Sequence, residues 1–159
     1  MHQYRVTKYD PSRRDSSGAY PSDDWTAISD IGRTYAGAPL TEEAYLAVEA
    51  AYLKAAGAFL RESDVDTLQV CALENHANNS RAPVAGAILK PEEILLVLRA
   101  LLREEYWCKL ESDLAYIHVG YDYYMYIGVP QACHEAGAEA VRLGLFVESV
   151  QSPYASNAA

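Results

Sequence analysis

The chain has 159 residues, a length that fits one domain with a core able to stand without metal or disulfide staples. Half of the residues are hydrophobic and 22% are charged, which excludes a disordered chain. No apolar run approaches the roughly 20 residues of a membrane span, and residues 1–6 bring no apolar signal core, so a soluble, cytoplasmic protein is expected.

The net charge is −9 and it is unevenly placed. Residues 1–40 hold five acids (Asp10, Asp15, Asp23, Asp24, Asp30) and five bases (Arg5, Lys8, Arg13, Arg14, Arg33). With 22 acids and 13 bases in the whole chain, the remaining 17 acids and eight bases fall in residues 41–159. An acidic body repels phosphate backbones and anionic lipid, so neither nucleic acid nor a membrane is an expected partner. A basic protein would be attracted and steered. The same charge also serves solubility. Of the aromatic residues, 13 are Tyr, two are Phe and two are Trp. Tyr is at home on surfaces that are part buried and part wet. Cys71, Cys108 and Cys133 are scattered and odd in number, which fits buried reduced thiols better than a disulfide framework or zinc site.

In chain order, residues 3–9 alternate and are rich in β-formers, so a strand is predicted there. Asp10-Pro11 ends it, and residues 10–24 read as an exposed loop. Residues 25–31 dock back as a strand or short turn, and residues 32–40 form a second loop. Thr41 is a good N-cap with Glu42 and Glu43 in the first turn, predicting a helix to about Arg61 or Glu62. Residues 67–73 read as a buried strand and residues 74–89 as an exposed, polar loop. Pro91, Glu92 and Glu93 open a second helix whose Leu-rich face runs towards Lys109. Residues 114–119 and 121–129 read as two strands of a hairpin. Pro130 opens a third helix, with Gly144 as its stop. Residues 145–150 form a last strand and residues 151–159 a tail. The expected architecture is a single α+β domain of two layers: a mostly antiparallel or mixed sheet of about five strands with three helices.

No Gly-rich phosphate loop, GxSxG elbow or HExxH pair occurs, and no cofactor or metal is expected. Four constellations stand out. Cys71, Glu74 and His76 lie at a strand end, where a nucleophile and base would meet; Cys71 in the core with His76 in solvent is the plainer reading. Asp23, Asp24 and Asp30 offer oxygen ligands to a cation, or an ordinary cap and turn. Glu104, Glu105 and Trp107 read as an interface rim and anchor, or Trp107 as the last core layer of the helix with Arg103 and Glu104 in solvent. Asp122, Tyr124 and Tyr126 sit on the strand face away from the helices, either as a binding platform or as plain β-formers.

Three segments, residues 4–11 (Tyr-Arg-Val-Thr-Lys-Tyr-Asp-Pro), 25–32 (Trp-Thr-Ala-Ile-Ser-Asp-Ile-Gly) and 120–128 (Gly-Tyr-Asp-Tyr-Tyr-Met-Tyr-Ile-Gly), resemble blocks in bacterial toxin-immunity proteins of contact-dependent inhibition and related polymorphic toxin systems. That resemblance implies a cytoplasmic, non-enzymatic protein that binds a cognate toxin domain and blocks it. Many such toxins are nucleases, whose basic surfaces an acidic, Tyr-rich face could cover. The expected contacts are Asp122, Tyr124, Tyr126, Glu104, Glu105 and Trp107. Two alternatives are a small hydrolase or transferase using Cys71, Glu74 and His76, and a structural domain that self-associates through its Tyr face.

Overall fold

The computed structural model describes residues 1–20 and 23–156. Alternation of apolar and polar residues builds β1 (His2–Thr7), β4 (Leu68–Glu74), β6 (Trp107–Glu111), β7 (Tyr116–Val119) and β8 (Met125–Val129). With the short strands β5 (Ile88–Leu89) and β9 (Phe146–Glu148) they form one sheet in the order β5-β4-β6-β7-β8-β1-β9. Every pairing is antiparallel. A separate two-stranded hairpin joins β2 (Thr34–Tyr35) to β3 (Ala38–Pro39) within the stretch read as loop 32–40. The helices are α1 (Glu42–Glu62), α2 (Pro91–Leu102) and α3 (His134–Arg142). The α+β class and three helices are as expected, but the main sheet has seven strands rather than about five.

The extra strands come from places where periodicity misleads. The Leu-rich pattern of α2 runs on past Leu102, yet the chain stops there and Trp107–Glu111 becomes β6. Glu104 takes a left-handed conformation, φ 57°. The Glu105 amide donates to Ala100 O (3.0 Å) and the Glu104 amide to Leu101 O (3.1 Å). This is a Schellman ending, with Glu where Gly normally stands. α1 ends the same way on Asp64, φ 53°, and α3 on Gly144, φ 87°. β5 has only two residues, too short for a pattern, and lies inside the expected loop 74–89, whose first residue belongs to β4. α3 starts four residues later than Pro130, because the Glu62 carboxylate at the end of α1 accepts from the Glu135 and Ala136 amides and caps it there. Residues 25–31 form a single 3₁₀ turn over Ile28–Asp30, not a strand.

The helices pack α1 against α2 and α3 on the sheet face that carries Val6, Leu68, Val70, Cys108, Leu110, Ile117, Met125 and Ile127, all buried. The Tyr4 ring meets Phe59 of α1 at 5.0 Å. Burial of this one continuous cluster drives folding. The opposite face is polar and aromatic, and it is not open. Arg5 and Arg14 both clamp Glu148, drawing residues 10–20 over one half. Residues 151–156, read as tail, lie over the other: Ser152 is buried and Lys109 Nζ donates to Tyr154 O (2.5 Å). Residues 157–159 of that expected tail, and 21–22 of the expected loop 10–24, lie outside the described residues. Tyr116 lies flat enough over β8 that a Cβ on Gly128 would come within 2.3 Å of its ring, so glycine is required there. Among the described residues no helix is long and apolar enough to cross a membrane.

Candidate functional site

The connection between β7 and β8 is the centre of the site. The stretch read as one strand over 121–129 is a tight loop over 120–124 followed by β8, closed by the Gly120 amide donating to Tyr124 O (2.9 Å). Tyr123 adopts φ 63°, a costly conformation for a bulky residue. It is held by what lies beneath. Its ring is 2% exposed and packs against Trp25, Tyr45 and Tyr52 at 5.0, 6.1 and 4.8 Å. Tyr52 OH donates to Tyr123 O (2.7 Å), and Tyr123 OH donates to Tyr45 OH (3.1 Å). Tyr45 OH passes its proton's bond to Glu49 (2.8 Å), a carboxylate 3% exposed that Arg103 grips with two bonds of 2.8 Å. One buried chain therefore ties the loop to the end of α2, and its neighbours Tyr121, Asp122 and Tyr124 stand on a fixed base.

Two clefts open on either side of this loop. The first, about 190 Å³, is lined by Glu74, His76, Glu104, Glu105, Trp107 and Tyr121 among others. It holds three carboxylates and no Lys or Arg. Glu104 and Glu105 are presented by the Schellman turn. Glu105 accepts from Asn79 Nδ2 (3.3 Å), and the loop behind it is cross-bonded through Asn75 and Asn79. Trp107, on β6 rather than on a helix, is half-buried and donates from Nε1 to Val119 O (2.8 Å). Tyr121 is 59% exposed; its crowded surroundings, and then the charges of Glu74 and Glu104, push its pKa up. Tyr121 was not singled out in the sequence, because strand alternation put it on the buried face with Tyr123.

The second cleft, about 290 Å³, is lined by Lys8, Tyr9, Asp10, Arg13, Tyr20, Asp24, Asp122 and Tyr124 among others. Here acids and bases mix. Lys8 Nζ lies 2.9 Å from Asp24 Oδ1 and 4.1 Å from the centres of both the Tyr9 and Trp25 rings. Burial lowers its pKa, with Asp24 opposing. Solvent reaches Asp122, yet its surroundings are dry enough to push its pKa up.

The six expected contacts therefore divide. Glu104, Glu105 and Trp107 share the first cleft, and Asp122 and Tyr124 the second. Tyr126 does face away from the helices, but it is only 7% exposed, covered by Tyr154 at 6.1 Å and Tyr124 at 6.3 Å. The Cys71, Glu74, His76 grouping forms no nucleophile and base. The His76 side chain is 90% exposed, 3.8 Å from Glu74. Cys71 lies half-buried on the polar sheet face, where burial and then the charge of Glu111 push its thiol pKa up, the reverse of activation. Asp30 is occupied as a turn acceptor for the Thr26 and Ala27 amides and a partner of Arg33. Among the described residues no cluster of three or more His, Cys, Asp or Glu is placed to hold a metal ion. No family model, curated protein or solved structure matches the chain.

Proposed function

We propose that this chain is a non-enzymatic binding protein for a basic protein domain, an immunity protein that neutralises a nuclease-type toxin through its acidic cleft. The observation that carries this reading is the rigidly backed cleft of Glu74, Glu104, Glu105, Trp107 and Tyr121, in which three carboxylates stand beside aromatic side chains and no Lys or Arg competes. Such a site accepts the Lys or Arg tip of a partner: carboxylates supply charge-assisted hydrogen bonds and the rings supply π faces. Because Tyr123 and Glu49 fix both walls beforehand, little ordering entropy remains to oppose binding. The acidic body steers the encounter, and Trp107 with Tyr121 sets residence time.

The test uses the C-terminal domain of a secreted toxin encoded beside this chain. A one-to-one complex is expected, with an association rate that falls steeply with salt. The double variant Glu104→Lys, Glu105→Lys should associate about tenfold or more slowly and with a flatter salt dependence. Association at the wild-type rate and salt dependence would overturn the acidic-cleft reading.

A further inference from the structure

The second cleft is built for something other than a basic protein tip. Three tyrosines wall it, and each is held from behind. Tyr9 OH donates to Trp25 O (3.0 Å), Tyr20 OH accepts from Arg14 Nε (2.9 Å), and the Arg5 guanidinium sits 5.1 Å from the Tyr124 ring centre. The rings touch one another: Tyr9 lies 5.2 Å from Tyr20 and 5.5 Å from Tyr124. A preformed aromatic wall of this kind stacks a planar ring.

The charges narrow the class. The Lys8 side chain is 7% exposed, and its ammonium is ion-paired with Asp24 at 2.9 Å. Among the described residues no second acceptor reaches its remaining N–H groups, although Lys8 is part of the cleft lining. A buried donor without an acceptor is costly, and an incoming oxygen would satisfy it. Arg13 adds a second cation at the exposed rim. Asp10, which caps the turn that carries Arg13, and Asp122 of the β7–β8 loop add carboxylate oxygens to the lining. A purely cationic ligand leaves Lys8 unsatisfied and meets its charge. A purely anionic ligand meets three carboxylates. A zwitterion answers both.

We propose that this cleft binds a free α-amino acid with an aromatic side chain, its carboxylate towards Lys8 and Arg13, its ammonium towards Asp122, and its ring on Tyr9, Tyr20 and Tyr124. The site is separate from the acidic cleft, and the proposal stands whether or not a toxin is the partner.

The experiment is titration calorimetry on the full chain with L-phenylalanine, phenethylamine, 3-phenylpropionate and L-alanine. L-phenylalanine should bind saturably, and each of the other three, lacking the carboxylate, the amine or the ring, at least about tenfold more weakly. Lys8→Met should weaken L-phenylalanine about tenfold and leave phenethylamine unchanged; Asp122→Asn should weaken L-phenylalanine and spare 3-phenylpropionate. Thermal melting reports whether each variant folds, and Asp122→Asn, at the rim, keeps the test alive if Lys8→Met does not. No saturable binding of L-phenylalanine up to about 10 mM would overturn the proposal. So would equal binding of all four compounds.

Discussion

The two clefts share one loop yet differ in charge, and the difference follows the chain. The first is built by residues 74–121 and carries three carboxylates without a Lys or Arg. The second draws mainly on residues 8–26, with Asp122 and Tyr124 added, and sets Lys8 and Arg13 against Asp10, Asp24 and Asp122. The neutral N-terminal quarter and the acidic remainder of the sequence thus become two neighbouring surfaces of opposite use. Net charge on its own describes solubility; its partition between sites describes what each can hold.

The largest way to break the comparison is to remove what both clefts stand on. Glu49 is buried and accepts from Tyr45 and Arg103. Glu49→Ala leaves the half-buried Arg103 and the Tyr45 hydroxyl without their acceptor. A loss of roughly 3 kcal/mol is expected in urea unfolding, with both clefts weakened together. If toxin binding fell while L-phenylalanine binding held, the loop would not be the common base.

A smaller effect separates the clefts by pH. His118 is fully buried on the polar face, 2.9 Å from Glu111 and 2.8 Å from Ser152, and stacked on Tyr116 at 4.4 Å. Lys109, Tyr126 and Tyr154 also border it. Burial lowers its pKa from 6.5 to about 4, with Glu111 opposing. The unfolded chain therefore binds a proton here near pH 6.5 that the folded chain refuses until about pH 4. Stability should fall as pH drops through that window, and no further on this group's account below it. Between pH 6.5 and 5 most carboxylates stay ionised, so His118 should make the main contribution to the slope there, and His118→Gln should reduce it in urea midpoints. Tyr154, seated on His118, also packs on Trp107 at 5.5 Å. Acid should therefore loosen the first cleft before the second. A wild-type midpoint that stays level from pH 7 to 5 would contradict this.

Much of the fold was legible because local chemistry and tertiary structure agree in it. Thr41 caps α1, Pro91 opens α2 and Gly144 ends α3, each where its residue type predicts. Two of the failures share a cause: a residue other than glycine held in a left-handed conformation. Glu104 ends α2 without glycine, so β6 was hidden inside a helical pattern. Tyr123 turns the chain without glycine, so a loop looked like strand and Tyr121 like core. Acidic residues and Trp107 were visible as candidates, but their meeting with Glu74 depends on the β4–β6 register, where Glu74 pairs with Trp107 across a bulge at Ala72. The second cleft was not legible because its walls join residues 8–26 to Asp122 and Tyr124, about a hundred positions further along the chain.

The smallest expected effect is the sharpest test of why Glu104 is a glutamate. At the left-handed position closing a helix, glycine is preferred by about 1 kcal/mol over a residue with a Cβ. Glu104→Gly should therefore stabilise the protein by about that amount. It should also remove one of three carboxylates from the first cleft and slow association with a basic partner. Asp64→Gly makes the same exchange at the equivalent end of α1, away from either cleft. It should give the stability gain with no change in association. A gain at both positions and a binding loss only at Glu104 would mean that strain is retained at Glu104 for the charge it presents. Equal behaviour of the two variants in binding would mean that Glu104 serves only to end a helix.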